Sequence, residues 1–529
     1  MNSRFHWLRA LIAILMVAVL AVIAFKIDNP LYTVSEEASE DGEGETVKKN
    51  IYEPAQEKVS KRSDDDALII WYTDEALTDY ISTLALSYQS EYGIRVKPEY
   101  RSGVEFLEQI NHASVYEGTE ENGEMVYAPD MYITTHDNLM KAYYTGLASE
   151  ISDPQHVINS VNYPATSIHA VTCDGKRMAY PLYYETNFFL YNKTYMANIA
   201  KQKIDDQYGS YEAEEETNQE TGTESDNEAV VSENQLDDEL DDMPMGDEEV
   251  DTDPLVLEKL STMIPSTIDD ILTFANNYDA PEQVESVFKW DVSDIFYNYF
   301  FVGNYMDVGG EDGDDNTYFN IYNQQAVDCL TVYQNINQFF SIDSKSVNYD
   351  NILDDFIKGK TVFTVATTDA IAKIKSAREN GEFEYEYGVA VLPDISSTLK
   401  ARGLSETSTI VINGYSMKKE AANDFAEYLA YTKSADLYKK AGKISCLKNV
   451  EYEDSEITNI MQEYEKSVPL PKMIEASNYW VQLEIAFTKI WNGEDPDATL
   501  KELNDTIGSQ IEEIEYHVPT QESIKVGAD

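Results

Sequence analysis

The chain has 529 residues, 43% of them apolar, and a formal net charge of −58 at pH 7 from 97 acidic and 39 basic side chains. That length exceeds what one hydrophobic core usually supports, so two large lobes are expected. A polyanion repels phosphate backbones and anionic headgroups, which argues against nucleic-acid binding.

Residues 10–25 form an unbroken apolar run, preceded by Arg4 and Arg9 and followed by Lys26. Such a run marks an exported chain, and over 1–27 it fits either a cleaved signal or a retained membrane anchor. No small-x-small site closes it, and the arginines hold the N-terminus inside, which favours the anchor. Cys173, Cys329 and Cys446 are odd in number and far apart, so neither a disulfide framework nor a cysteine zinc site organises the fold. None follows the apolar run, so a lipid-modified cysteine is not the tether, and buried free thiols are expected. Residues 28–66 read as a polar, disordered linker.

Folded structure is expected from residue 67. A buried strand at 67–72 precedes Leu77, Tyr80, Ile81, Leu84 and Tyr88 at helical spacing; Gly93 ends that helix, and Ile94, Val96, Pro98 and Tyr100 alternate as a strand does. A helix at 104–113, a strand at 131–133, a short helix at 139–144 and strands at 178–182 and 187–191 follow. This βαβ rhythm predicts an α/β lobe. Between Lys203 and Lys259 there is no Lys or Arg, and the carboxylates there are too poorly supplied with apolar neighbours to offset ordering entropy. Residues 200–262 therefore read as a disordered acidic insertion. Order resumes with Ser266 as N-cap of a helix at 268–278. Strands at 361–366, 388–392 and 409–412 alternate with helices at 325–340 and 420–433 as a second α/β lobe. Helices at 476–491 and 497–514 close the chain before a tail at 517–529. Segment 307–316 has the composition of a calcium loop but lacks its glycine and closing glutamate at the required places, so it reads as a hairpin turn. No metal or cofactor is called for.

Six stretches in order, over about 350 residues, resemble the maltose-binding protein branch of the extracellular solute-binding proteins. They are Leu68-Ile-Ile-Trp-Tyr-Thr-Asp-Glu, Ala128-Pro-Asp-Met-Tyr-Ile-Thr-Thr-His-Asp, and the run from Asp174 through Tyr180-Pro-Leu-Tyr-Tyr-Glu to Tyr191-Asn-Lys. Phe356-Ile-Lys-Gly-Lys-Thr-Val-Phe, Tyr387-Gly-Val-Ala-Val-Leu-Pro and Lys418-Lys-Glu-Ala-Ala-Asn-Asp-Phe-Ala complete them. The resemblance implies a periplasmic-binding-protein-like fold: two α/β lobes, 67–184 with about 406–455 and 185–405 with about 456–516, joined by a hinge with a ligand cleft between them. Crossings would lie near Leu182, Ser405 and Glu456. It further implies a receptor, not an enzyme, that binds a sugar or short oligosaccharide by hinge closure. Such a receptor works as a monomer and delivers its solute to the permease subunits of an ABC importer. A receptor for a non-sugar polar solute, or an anchored sensor or scaffold, is the alternative.

Sugars are held by carboxylates and amides on hydroxyls and by aromatic faces on C–H patches. The family's pattern places such contacts at Asp74 and Glu75 after the first strand, at His136 and Asp137 after the 131–133 strand, and at Tyr184 and Glu185 past the first crossing. Trp290, Asp291, Asp294, Asp369 and Trp480 are the corresponding positions of the second lobe. Each has a plainer reading: helix caps for Asp74 and Glu75, a solvated turn for His136 and Asp137, an interlobe ion pair for Glu185, core packing for Trp480. Thr134 and Asp369 stand where the family carries aromatic rings, which weakens the expectation of a long maltodextrin. A glycosidase using Asp137 and Glu185 has the two carboxylates but no other supporting motif.

Overall fold

Strand β1 (Leu68–Tyr72) is buried at all five positions, as a strand covered on both faces must be. Asp74 caps a short 3-10 turn after it, and α1 (Thr78–Tyr92) then buries Tyr80, Ile81, Leu84, Ala85 and Tyr88 until Gly93 ends it in the left-handed conformation. β2 (Val96–Tyr100) and β3 (Met131–Thr135) pair parallel with β1 on its two sides, with α2 (Phe106–Val115) between them in sequence. The computed structural model describes residues 67–116, 119–121, 124–219, 253–474 and 478–512, together with strand backbone at 32–40, 46–54 and 515–516.

The organising element is β4 (Ala179–Asn192), a single strand where the sequence suggests two. Thirteen of its 14 residues are buried and no turn residue interrupts them, so the chain has no reason to break. Its first half pairs antiparallel with β8 (Leu404–Ile412), from Ala179 opposite Val411 to Thr186 opposite Ser405. Its second half pairs with β6 (Thr361–Thr367), starting from Asn187 opposite Thr367, and with β7 (Tyr387–Ala390) on the other side. The nine-stranded sheet runs β5-β6-β4-β8-β3-β1-β2, with β5 at Ser286–Phe288; β7 joins β4 and β9 (Val468–Pro469) joins β8. β4 thus changes partners between Thr186 and Asn187, slightly beyond the crossing expected near Leu182.

Helices cover both halves. Ile70, Tyr80, Phe425 and Ile460 belong to one core, Trp71, Tyr132 and Val411 to the opposite face of the same half, and Trp290, Tyr333, Phe363 and Trp491 to the core of the second half. This is the two-lobed α/β architecture that the alternation predicts. All three cysteines are free and buried.

The structure departs from the sequence reading at several places. α5 (Lys193–Gln219) runs into the expected insertion, and α6 (Pro254–Ser261) returns against it, capped by Asp253. Ala197, Ala200, Val256 and Leu260 give these ends a buried face that the average composition hid. Residues 220–252 lie outside the described residues, as does the apolar run 10–25. Among the described residues no helix is long and apolar enough to cross a membrane. The N-cap of α7 (Ile268–Asn277) is Thr267, not Ser266, because Thr267 and Asp270 close a capping box. Segment 307–316 lies in a hairpin, Asp307–Val308 pairing with Phe319–Asn320. Its tip docks on the first half, where Asp312 lies 2.8 Å from the His169 ring.

Candidate functional site

Three strands end at one place. β1 delivers Asp74, β3 delivers Asp137, and β6 delivers Thr368 and Asp369, each just past a C-terminal strand end, where open α/β sheets bind their ligands. Glu185 and Glu406 are directly opposite each other on β4 and β8, so both point to the same face. Lys443 arrives from far along the chain. Gly442, at φ 66°, ends α12 (Ala435–Ala441), and the segment after it fits the bulge of β4 between Pro181 and Tyr183. There the Tyr184 N–H donates to the Ile444 carbonyl at 3.3 Å and the Cys446 N–H to the Leu182 carbonyl at 3.2 Å.

The side chains form one network. Lys443 Nζ lies 3.0 Å from Asp74 Oδ2, 3.5 Å from Glu185 Oε1 and 5.0 Å from the centre of the Tyr183 ring. The Tyr183 hydroxyl donates to Asp74 at 3.0 Å, and the Thr368 hydroxyl donates to Glu185. Asp137 accepts from the Thr135 hydroxyl at 2.5 Å and from the Asn138 amide at 3.2 Å. On the far side Asp369 accepts from Thr367 at 2.5 Å and from Tyr349 at 2.9 Å, and pairs with Lys373 at 2.8 Å. The Tyr349 ring stacks on Tyr297 at 4.7 Å. A cavity of about 370 Å³ opens beside Asp74 and Tyr183, lined also by Thr73, Thr135, Asn138 and Ser408.

Burial sets the electrostatics. It alone would raise Asp74, but Lys443 reverses this and holds the carboxyl below its usual value. Burial lifts Glu185 to about 7; Lys443 opposes the rise and Asp369 adds to it. Burial, then Asp137 and Glu185, push Glu406 up to about 8, with Lys443 the one opposing group. Burial disfavours the Lys443 ammonium, yet Glu185 and Asp74 more than compensate and its pKa is raised. The site is a carboxylate-rich cleft in which Lys443 bridges Asp74 and Glu185, with Lys373 beside Asp369 and Lys141 on the cavity wall.

Asp74 and Glu185 therefore meet at Lys443, with Asp369 within electrostatic reach of Glu185 and Asp137 within electrostatic reach of Glu406. Other expected contacts are corrected. His136 is fully buried: its Nδ1 accepts from the Thr407 N–H at 3.0 Å, so Nε2 carries the proton and donates to the Leu470 carbonyl at 3.0 Å. Burial and the charge of Lys472 hold its pKa down at about 3. Tyr184 is also fully buried, stacked 3.8 Å from Tyr464, and Tyr183 takes its place in the network, because alternation sends neighbouring side chains to opposite faces. Trp290 is core, its indole N–H donating to Asn298 at 2.9 Å, and Asp291 is buried in a turn that accepts from Ser293. Glu75 faces solvent in the turn after Asp74. Asp294 caps the short helix carrying Tyr297, and Trp480 opens α14 (Tyr479–Trp491) half-buried, edge-on to Tyr299 at 5.5 Å.

Sequence reasoning missed Glu406, Lys443 and Tyr183. For Glu406 a signal existed: a charged residue in the Ser405-Glu406-Thr407 stretch where a crossing was expected.

The chain belongs to the bacterial extracellular solute-binding protein family, whose pattern matches residues 84–462. Among curated relatives, the maltodextrin-binding protein of Bacillus subtilis is 21% identical over 434 residues, covering 80% of this chain and 84% of that protein. An extracellular solute-binding protein from Staphylococcus aureus, solved in complex with maltose, superposes with a TM-score of 0.62 at 18% identity, covering 85% of this chain and 99% of its own. The maltose-binding periplasmic protein of Listeria monocytogenes, also solved with maltose, superposes with a TM-score of 0.58 at 18% identity, covering 85% and 99%. At such identities the structural likeness establishes the fold, and the particular solute has to be argued from the cleft.

Proposed function

We propose that this protein is an exported receptor that captures a sugar or short oligosaccharide between its two lobes and hands it to the permease of an ABC importer. The observation that carries the reading is the gathering of Asp74, Tyr183 and Glu185 around Lys443 at the strand ends, with Asp74 and Tyr183 lining a cavity of about 370 Å³. Such a set accepts hydrogen bonds from several hydroxyls at once. The maltodextrin-binding relative and the maltose-bound neighbours support a carbohydrate. A solute touching both lobes has differential affinity for the closed form, so binding shifts the open–closed population without covalent chemistry. The apolar run 10–25 would hold the receptor at the outer membrane surface.

Calorimetric titration of the purified full-length chain with maltose, maltotriose and a panel of other sugars tests this. Micromolar binding, worth about 8 kcal/mol, is expected for at least one sugar without product formation. Binding confined to amino acids or polyamines would overturn the carbohydrate reading. Slow release of shortened sugar would point to a glycosidase instead.

A further inference from the structure

Lys443 stands on a fixed base. Gly442 before it is left-handed, Ile444 and Cys446 after it are fully buried, and residues 444–446 bond into the bulge of β4. Its three N–H donors are surrounded by Asp74 at 3.0 Å, Glu185 at 3.5 Å and the face of the Tyr183 ring at 5.0 Å. Those partners are fixed in turn. Asp74 Oδ1 accepts from the Ala76 N–H at 3.0 Å, and Oδ2 accepts from the Tyr183 hydroxyl at 3.0 Å as well as from Lys443. Of about four acceptor positions on the carboxylate, one is left over. The Tyr183 hydroxyl, having given its proton to Asp74, has only acceptor capacity to offer. Glu185 takes Lys443 on Oε1 and the Thr368 hydroxyl on Oε2. Asp74 and Tyr183 line the cavity and Lys443 does not, so the lysine acts through them.

The cavity's other polar lining is mostly neutral, with hydroxyls from Thr73, Thr134, Thr135 and Ser408 and the amide of Asn138. Glu105 and Glu108 also line it but are exposed to solvent, and Lys141 adds a second cation. A cationic solute reaching Asp74 would have to displace an ammonium that is already in place and tethered to the chain, whereas a hydroxyl needs only the acceptor left over. Resting on the sugar-receptor reading, we infer that Lys443 is the specificity-determining positioning residue of the cleft. As a resident ammonium it aims Asp74 and Tyr183 at the cavity and fills the place of a cationic solute, so that the cleft captures an uncharged, hydroxyl-bearing one. Removing its charge leaves Asp74 and Glu185 without their shared cation, a deficit that a solute ammonium then relieves.

Calorimetry at pH 7 with the neutral sugars and with spermidine, on the full-length protein and its Lys443→Met and Lys443→Arg variants, tests this. The parent is expected to bind a neutral sugar and to bind spermidine at least about tenfold more weakly. In Lys443→Met, similar in length but uncharged, sugar affinity should fall roughly tenfold or more while spermidine affinity rises, inverting the preference. Lys443→Arg keeps the charge and should keep the parent's order. A role in folding alone would move both affinities together. A Lys443→Met protein that melts cooperatively yet holds the parent's sugar-to-spermidine ratio to within about threefold would therefore overturn the inference and leave the sugar receptor intact. Should that variant not fold, Lys443→Gln, which keeps a hydrogen-bonding group without the charge, carries the same expectation. On the parent alone, spermidine bound as tightly as the best neutral sugar also overturns the inference but not the receptor. Spermidine bound with no neutral sugar, or no binding at all, overturns both.

Discussion

At the residue scale, the opposed glutamates make the stability of the empty protein depend on pH. Glu185 and Glu406 titrate higher in the fold than in an unfolded chain, at about 7 and about 8. Their contribution is therefore fully present below their ordinary value and is lost as pH rises through 7 and 8. Glu406→Gln is expected to match the parent protein at pH 5 and to exceed it at pH 9 by on the order of 2 kcal/mol; thermal melts at both pH values measure this, and parallel curves would refute it. His136 has the opposite sign. Its pKa is depressed to about 3, so its contribution is present above its ordinary value of 6.5 and is lost as pH falls towards 3. His136→Ala leaves the Thr407 N–H and the Leu470 carbonyl without their partner, at a cost of about 2–4 kcal/mol at pH 7. Urea unfolding at pH 7 and pH 4 should show that gap narrowing in acid.

At the scale of elements, the strands and most helices were legible because their apolar periods are strong, and Asp74 and Asp137 because each follows a strand that ends at the cleft. What escaped was set by pairing between distant segments. Tyr183 and Tyr184 are indistinguishable in sequence, and only the bulge after Pro181 decides which one faces the cleft. Lys443 reaches the site because residues 444–446 dock on that bulge, a contact with no local signature. The same strand imposes a glycine. Gly388 of β7 lies opposite Tyr191 of β4, and a Cβ there would fall 2.1 Å from the tyrosine ring. Because Tyr191 is buried, the ring has little room to move. Gly388→Ala should therefore cost about 2–3 kcal/mol, read as a lower urea midpoint with an unchanged slope. A neutral substitution would mean that the ring swings clear.

At the scale of the whole molecule, a net charge of −58 works against compaction. Raising salt from about 0.01 M to about 0.15 M shortens the screening length from about 30 Å to about 8 Å, so the melting temperature should climb with salt. Part of that charge is separable from the cleft. Residues 220–252 carry 14 carboxylates and no base, and they join α5 to α6, two helices that pack against each other on the second half. Among the described residues, none of the cleft network comes from either helix. Replacing 220–252 with a short Gly-Ser linker removes repulsion and shortens a loop by about two halvings, which together favour folding by roughly 1 kcal/mol or more. The expected result is a slightly higher melting temperature at low salt, a weaker salt dependence, and solute affinity within about twofold of the parent. A large loss of affinity would tie the acidic stretch to capture itself. Affinity retained with uptake lost in cells would make it instead a docking element for the importer or another surface partner.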